Sequence, residues 1–261
     1  MITSVANPKV KLLRSLGERK HRRALGLCLV EGIRLLDEAL ASGLRVEPIL
    51  YAPERLSATA SGRALRQKLE HRAGAEQIDE RVLAAVSETV TSQGVVAGVE
   101  IPSFGVLPGE GHVLVLDGIA DPGNAGAMLR TARAAGAAGV VATKATTDLW
   151  SPKAVRAGMG AHFHLPLLAD VVDWDALLGD RQILLAVARG GKVYWEVDWS
   201  RPAAVVVGSE AHGPSSATSS LAAEAVTIPM AEGVESLNAA AAAAVLLFAA
   251  RQRWATIVLH D

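Results

Sequence analysis

A glycine-bearing turn at residues 117–128, DGIADPGNAGAM, has the composition of a phosphate-binding loop. A dinucleotide-binding turn requires the spacing G-x-G-x-x-G, but four residues separate the first two glycines here, Gly118 and Gly123. A Walker-type loop requires a lysine directly after the second of these glycines, and Asn124 occupies that position. The spacing therefore excludes both a nicotinamide dinucleotide site and a Walker loop, so the turn must serve some other chemistry.

The sequence supports neither of two further chemistries, namely metal binding by histidine and catalysis by a cysteine thiol. His162 and His164 alternate along the chain, which would place both rings on one face of a strand, as metal ligands would be. No cysteine or acidic partner is close to them in the sequence, so we predict no metal site. Cys28, the only cysteine, lies in the apolar run LCLV, which favours a core residue over a catalytic thiol. A single cysteine also excludes an internal disulfide and indicates an intracellular, cytoplasmic protein.

From about residue 112 onward, near-continuous apolar runs alternate with helical patterns. Such alternation predicts an α/β domain with a largely parallel sheet that helices cover on both faces. Ligands of these sheets bind beyond the carboxyl ends of the strands. Three polar, glycine-bearing turns lie at such strand ends, at residues 117–124, 208–215 and 231–238. We therefore predict that these three turns together form the functional site.

The chain is long enough for two domains, and its pattern changes near residue 105. Short strands and helices alternate over residues 1–105, which predicts a smaller α/β domain. The segment IPSFGVLPGE, residues 101–110, contains prolines and glycines typical of a linker to a second domain at residues 106–261. The longest apolar stretch, residues 239–250, is too short and too rich in alanine to span a bilayer, so no membrane partner is expected.

The last helix is predicted to begin at Ser236, a favourable N-cap residue. It is predicted to end on Arg251 and Arg253, whose charges suit a helix C-terminus. Six consecutive alanines follow Asn238 and leave almost no side chain on the first turns. Another helix, another subunit or a ligand could therefore approach this backbone closely.

Basic residues are concentrated in the first 25 residues, although the formal net charge of the chain is only −1. A cluster of this kind neutralises backbone phosphates and releases counterions, which favours a polyanion such as RNA as the partner. A solvated helix face is the alternative explanation of such a charge run. The candidate RNA-binding residues are Lys9, Lys11, Arg14, Arg19, Lys20, Arg22 and Arg23.

The three turns resemble the three motifs of the SpoU/TrmH branch of the SPOUT RNA methyltransferases. LDGIADPGNAGAMLRTARAAG is similar to the first motif, VVVGSEAHGPS to the second and IPMAEGVESLNAAAAAAVLLFAA to the third, in the family's order and spacing. The N-terminal part, with LCLVEGIRLLDEAL, resembles the family's ribosomal-protein-L30e-like RNA-binding domain. The resemblance implies a C-terminal SPOUT α/β domain with a deep trefoil knot, plus a smaller N-terminal L30e-like α/β domain.

The same resemblance implies a homodimer that binds S-adenosylmethionine in the knot and methylates a ribose 2′-hydroxyl of RNA. The appended N-terminal domain favours ribosomal RNA, and in particular 23S ribosomal RNA, over tRNA as the substrate. A tRNA 2′-O-methyltransferase and a catalytically silent, knotted RNA-binding module are the alternatives. A base C5-methyltransferase would need a nucleophilic cysteine, and Cys28 lies outside all three turns.

Site residues carried over from the family fall into two sets. Main-chain groups of the second and third turns would bind the methyl donor, which gives as cofactor candidates Gly208, Ser209, Glu210, Gly213, Ile228, Met230, Ser236, Leu237, Asn238 and Ala239. The catalytic candidates are Asn124, Arg130, Glu210, Ser236 and Asn238. Of these, Asn124 and Arg130 would face the acceptor nucleotide, while Ser236 and Asn238 would hydrogen-bond near the acceptor or the donor carboxylate.

Arg130 corresponds to a residue that has been proposed as the general base of the family. A guanidinium almost never gives up its proton in a protein, so this role is chemically unfavourable. We expect Arg130 to bind the acceptor phosphate or to stabilise the developing 2′-oxyanion, while the proton leaves to a phosphate oxygen or to water. Glu210 would orient Arg130 or an arginine of a partner subunit, and His212 receives no catalytic role.

Overall fold

The computed structural model describes residues 1–209 and 213–258, without the side chains of Ala217 and of residues 253–258. The helices are α1 (Pro8–Ser15), α2 (Arg19–Leu25), α3 (Ile33–Ala41), α4 (Pro53–Leu56), α5 (Ala60–Glu70), α6 (Glu80–Val86), α7 (Pro122–Ala135), α8 (Pro152–Gly158), α9 (Ser216–Leu221) and α10 (Ala239–Val258). The strands are β1 (Leu27–Glu31), β2 (Val46–Tyr51), β3 (Ala75–Gln77), β4 (Val95–Glu100), β5 (Val113–Asp117), β6 (Gly139–Thr143), β7 (Leu167–Val171), β8 (Gln182–Val187), β9 (Lys192–Val193), β10 (Ala203–Gly208) and β11 (Glu224–Thr227).

The chain forms two compact units, and the first of them is discontinuous in sequence. The N-terminal unit consists of Met1–Ser103 and Trp150–Phe163, and the C-terminal unit contains the remaining residues. The sequence pattern had assigned residues 150–163 to the second domain. In the structure, Val155 and Phe163 are instead buried in the hydrophobic core that contains β1 and α3. This segment is therefore part of the N-terminal core.

The sheet of the N-terminal unit has the strand order β1-β4-β2-β3, with β4 antiparallel to β1 and β2, and with β3 parallel to β2. Cys28 lies on β1 and is fully buried, as expected of a core residue. The expectation that His162 and His164 lie on a strand is wrong, because Ala161–Phe163 forms a 3₁₀ turn that buries His162. Among the residues with described side chains, no three His, Cys, Asp or Glu groups are close enough to hold a metal ion.

The C-terminal unit is built on a seven-stranded sheet with the order β7-β6-β5-β10-β8-β11-β9. Every pair of neighbouring strands in it is parallel, which confirms the prediction of a parallel α/β sheet. All five residues of β5 are buried, and so are all five of β6. Successive residues of a strand point to opposite faces, so continuous burial means that both faces of these central strands are covered.

The last helix, α10, begins at Ala239 and continues to Val258. The prediction of Ser236 as its N-cap is wrong: the Asn238 side-chain oxygen accepts hydrogen bonds from Ala240 N at 2.9 Å and Ala241 N at 3.3 Å. The expectation that the helix ends on Arg251 and Arg253 is also wrong, because α10 continues past both of them to Val258. Among the described helices, none is long and apolar enough to cross a membrane.

Arg181, which directly precedes β8, holds the segment before β5 in place. Its guanidinium donates hydrogen bonds to the carbonyl oxygens of Pro108, Glu110, Gly111 and Leu178. Burial lowers the pKa of Arg181, but the guanidinium remains charged at neutral pH. A planar group with five donors fits this set of carbonyls, whereas the point charge of lysine does not.

Replacing Arg181 with alanine is expected to lower the free energy of unfolding by about 3 kcal/mol, because four carbonyl oxygens in buried or partly buried hydrogen bonds lose a charged donor. Urea denaturation of the purified variant measures this loss. Arg201→Ala removes an exposed arginine from a nearby loop and is the matched control, with an expected change within about 0.5 kcal/mol. Equal stabilities of the two variants would contradict the structural role of Arg181.

His112, just before β5, is buried and neutral. Its Nδ1 accepts a hydrogen bond from Ala203 N at 3.2 Å, and its ring makes an edge contact with Trp199. Burial, and secondly the charge of Arg181, lowers the pKa of His112 from 6.5 to about 4. The unfolded chain therefore binds this proton at a higher pH than the folded chain does. It follows that the stability contributed by neutral His112 is complete above pH 6.5 and is lost as the pH falls toward 4.

Between pH 7.5 and pH 5, the titration of His112 is expected to lower the free energy of unfolding by roughly 2 kcal/mol. The check is a series of denaturation curves over this range for the wild-type protein and for His112→Asn. Asparagine offers an oxygen to Ala203 N but does not titrate, so the variant should show a flatter dependence on pH. Identical slopes for the two proteins would show that His112 does not cause the acid sensitivity.

Candidate functional site

The three polar turns meet at one edge of the parallel sheet. The first follows β5, the second follows β10, and the third lies between β11 and α10. The carboxyl ends of parallel strands lie at the same edge of a sheet, and β5 and β10 are direct neighbours. β8 lies between β10 and β11 and brings its own carboxyl end to the same place. Four strand ends therefore lie at this edge of the sheet.

A cavity of about 510 Å³ opens at this edge, beside the ends of β8, β10 and β11. Every cofactor candidate that the structure describes lines it, namely Gly208, Ser209, Gly213, Ile228, Met230, Ser236, Leu237, Asn238 and Ala239. Glu210, the remaining candidate, lies outside the described residues, as does His212. The lining also includes Ala186, Val187 and Ala188 at the end of β8, which the sequence analysis missed. Only the strand order, with β8 between β10 and β11, shows that these three residues reach the cavity.

Gly208 is the point at which the second turn folds back on itself. A Cβ atom added at Gly208 would lie 2.4 Å from Pro214 N and 2.6 Å from the carbonyl carbon of Gly213. Gly213 N donates a hydrogen bond to the carbonyl oxygen of Ser209 at 2.8 Å, and Gly213 has φ +67°. The turn therefore depends on glycine at both positions, at Gly208 for space and at Gly213 for backbone conformation.

Asn124 and Asn238 connect the first turn to the third. The Asn238 side-chain nitrogen donates to the Asn124 side-chain oxygen at 3.1 Å. Asp121 caps the N-terminus of α7 by accepting from Asn124 N at 2.8 Å, which fixes the first turn of this helix. Ser236 and Asn238 are exposed, as expected of groups that meet a ligand from solvent. Arg130 lies further along α7, is exposed, and is not among the residues that line the cavity.

The cavity has a mostly apolar wall with polar groups at the turns. Ala186, Val226, Ile228 and Leu246 supply apolar side chains, while Ser209 and Asn238 supply hydrogen-bonding groups. None of the lining residues in the described part of the chain carries a charge. A site of this size and composition suits a ligand with a flat apolar ring and a few hydrogen-bonding groups.

Comparison with known proteins assigns the chain to a family. The SpoU rRNA methylase family profile matches residues 111–248, which is more than half of the chain and includes all three turns. The chain belongs to the SpoU rRNA methylase family. A second profile, the MRM3-like substrate binding domain, matches residues 7–97.

This SpoU methylase matches several RNA methyltransferases over nearly the whole length of both chains. It is 33% identical to the 23S rRNA (guanosine(2553)-2′-O)-methyltransferase RlmP of Bacillus subtilis, over 95% of this chain and 97% of that protein. A crystal structure of an RNA 2′-O ribose methyltransferase has a TM-score of 0.82 and 31% identity, covering 97% of this chain and 98% of that one. The AviRb methyltransferase of Streptomyces viridochromogenes in complex with AdoMet has a TM-score of 0.80 and 29% identity, covering 95% and 98%.

The seven candidate RNA-binding residues of this SpoU methylase lie on and around α1 and α2, within the MRM3-like match. Those with exposed side chains are Lys11, Arg14, Arg19, Lys20 and Arg23. Lys9 is half-buried and forms an ion pair with Glu76. Assigning Arg22 to the RNA-binding set requires correction: its side chain is 3% exposed and donates to Leu16 O at 2.6 Å and Gly17 O at 2.7 Å. Arg22 therefore closes the turn between the two helices.

Proposed function

We propose that this protein transfers the methyl group of S-adenosylmethionine to a ribose 2′-hydroxyl of 23S ribosomal RNA. The observation that carries the proposal is the cavity at the carboxyl edge of the sheet, lined by turns that match the SpoU family. The relative RlmP is a 23S rRNA 2′-O-methyltransferase, and the neighbour AviRb holds AdoMet. A tRNA substrate and a silent RNA-binding module remain the alternatives that the experiment below separates.

The cavity fits S-adenosylmethionine in size and in chemistry. The apolar side chains of Ala186, Val226 and Ile228 suit an adenine ring, and the main-chain groups around Gly208 and Met230 suit its polar edge. The described lining carries no cationic side chain that would repel the positively charged sulfonium. When bound, the cofactor supplies an electrophilic methyl group, and the second and third turns hold it in position.

Transfer requires an oxygen in line with the carbon–sulfur bond and an outlet for the hydroxyl proton. The new bond joins the 2′-oxygen to the methyl carbon, the carbon–sulfur bond breaks, and S-adenosylhomocysteine leaves. Asn238 lines the cavity and donates a hydrogen bond to Asn124, so this pair can orient the ribose beside the cofactor. The guanidinium of Arg130 binds the acceptor phosphate or the developing oxyanion, and the proton passes to a phosphate oxygen or water. Holding the ribose oxygen and the methyl group in the right geometry supplies most of the rate enhancement.

The proposal includes further features that the resemblance to the family implies. The C-terminal unit carries the deep trefoil knot, and the protein acts as a cytoplasmic homodimer in which Glu210 orients Arg130 or the corresponding arginine of the second subunit. The N-terminal unit, which the sequence pattern had bounded at residue 105 and which also includes residues 150–163, is the L30e-like domain that binds RNA. The C-terminal unit, which makes up the rest of residues 106–261, is the methyltransferase domain. The match of residues 7–97 to a substrate-binding domain supports the assignment of RNA binding to the N-terminal domain. The exposed basic residues of α1 and α2 support contacts with phosphates.

The experiment is methyl transfer from labelled S-adenosylmethionine to unmodified 23S ribosomal RNA and, in parallel, to unmodified tRNA. Alkaline hydrolysis of the product is expected to leave a labelled, alkali-resistant dinucleotide from the ribosomal RNA, because a 2′-O-methyl group blocks cleavage of the adjacent phosphodiester. Label in tRNA alone would reassign the substrate. Label on a base would contradict ribose methylation, and absence of label from both RNAs would favour the silent module.

A further inference from the structure

Asp117, the last residue of β5, directs a buried carboxylate toward the neighbouring turn. Asp117 is 5% exposed, and its Oδ2 accepts a hydrogen bond from Ser215 N at 2.8 Å. Asp117 is in register with Gly208 on β10, the residue at which the second turn begins. The carboxylate thus reaches from the base of the first turn to the far end of the second.

The second turn is held at both of its ends. At its start, Gly208 is fixed by the β5–β10 ladder. At its end, Ser215 is the N-cap of α9, where its hydroxyl oxygen accepts from Thr218 N at 3.2 Å. Between these points the turn closes on itself through the Ser209–Gly213 main-chain hydrogen bond. The Asp117–Ser215 contact therefore joins the end of this turn, next to Gly213 and Pro214, to the sheet.

The backbone that carries Asp117 is itself fixed from the opposite side. Gly118 N donates to the hydroxyl oxygens of Thr143 at 3.2 Å and Thr146 at 3.1 Å. The Thr146 hydroxyl donates in turn to Leu116 O at 2.7 Å. Both threonines are buried, so these contacts are shielded from water. Asp117 consequently has little freedom to follow the second turn if that turn moves.

We propose that Asp117 is a positioning residue for the cofactor: its contact with Ser215 N holds Gly213 and Pro214 where they form the cavity wall. Asp117 does not line the cavity, so it acts through the turn and does not touch the ligand. The inference rests on the proposed function in one respect, namely that the cavity takes S-adenosylmethionine. A charge-assisted acceptor is stronger than a neutral one, which suits a contact that must hold a short glycine-containing turn.

Calorimetric titration with S-adenosylmethionine tests this role. Asp117→Ala is expected to raise Kd at least tenfold. Asp117→Asn keeps an acceptor oxygen but loses its charge, so it should raise Kd less than Asp117→Ala does. Val115→Ala is the matched control for stability, because it opens a cavity in the same strand without touching the turn. It should lower the melting temperature and leave Kd unchanged.

A second pair of variants changes Ser215, the hydrogen-bond donor, and leaves the acceptor Asp117 intact. Ser215 has φ −65°, an angle that proline also adopts. Ser215→Pro removes the N–H donor and places its ring carbon Cδ against the Asp117 carboxylate, so it breaks this contact. Ser215→Ala loses the hydroxyl cap but keeps the N–H. We expect Ser215→Pro to weaken cofactor binding at least tenfold and Ser215→Ala to change it less than threefold.

The outcomes separate the inference from the proposed function. Wild-type affinity in Asp117→Ala or in Ser215→Pro would overturn the positioning role while leaving the proposed function intact. A loss of affinity in Val115→Ala equal to that in Asp117→Ala would also overturn it, since general destabilisation would then explain both. Failure of the wild-type protein to bind S-adenosylmethionine would overturn the proposed function, and this inference with it.

Discussion

Replacing Arg130 with alanine is expected to reduce kcat for methyl transfer at least roughly 100-fold, the usual effect of removing one donor that stabilises a developing oxyanion. The same variant should bind S-adenosylmethionine with unchanged Kd, because Arg130 is exposed on α7 and does not line the cofactor cavity. Single-turnover kinetics with saturating RNA measures the chemical step, and calorimetry measures cofactor binding.

Two variants sharpen the test of Arg130. Arg133→Ala removes another exposed arginine of the same helix and should retain activity within about threefold, since surface substitutions away from a site have small effects. Arg130→Lys keeps the charge but loses the planar fork of donors, so it should remain well below wild type. Near-full turnover of Arg130→Lys with unchanged RNA affinity would contradict a fork-shaped contact with phosphate or oxyanion.

Replacing Gly208 with alanine is expected to weaken S-adenosylmethionine binding by roughly 30-fold, because overpacking costs about 2 kcal/mol where the neighbours cannot yield. The new methyl group would meet backbone atoms of Gly213 and Pro214, and backbone cannot rotate away as a flexible side chain can. Calorimetry with S-adenosylmethionine and with S-adenosylhomocysteine measures the loss for both forms of the cofactor.

Gly109→Ala is the matched control for Gly208→Ala. An added Cβ at Gly109 meets nothing within 4 Å, so this variant should bind the cofactor as the wild-type protein does. Wild-type affinity in Gly208→Ala would show that the second turn can open without loss of the ligand. The close approach at Gly208 would then have no part in cofactor binding.

Much of the site was accessible from the order of residue types along the chain. Apolar runs followed by polar, glycine-bearing turns located the ends of β5 and β10 and the segment before α10, and the parallel sheet brings these ends together. The cofactor candidates in the described residues all line one cavity, although their roles stay predictions. These features were predictable because a strand followed by a turn is a local pattern, and a parallel sheet aligns such turns by geometry.

Other expectations failed where a local pattern had more than one solution. Ser236 and Asn238 are both good N-cap residues, and the helix begins after the second of them. Arg22 lies in a basic run like its neighbours, but its side chain turns inward to the carbonyl oxygens of Leu16 and Gly17. His162 alternates with His164 as in a strand, yet its segment forms a 3₁₀ turn.

The sequence by itself determined the parallel α/β class, the three turns and the exclusion of the common nucleotide loops, because period, turn composition and glycine spacing are local properties. Only the tertiary structure decided which strands are neighbours. That order places the end of β8 in the cavity wall and sets Asp117 opposite Gly208, within reach of Ser215. It also places Val155 and Phe163 in the N-terminal core. Such contacts join residues far apart along the chain, and no periodicity or spacing within a segment encodes them.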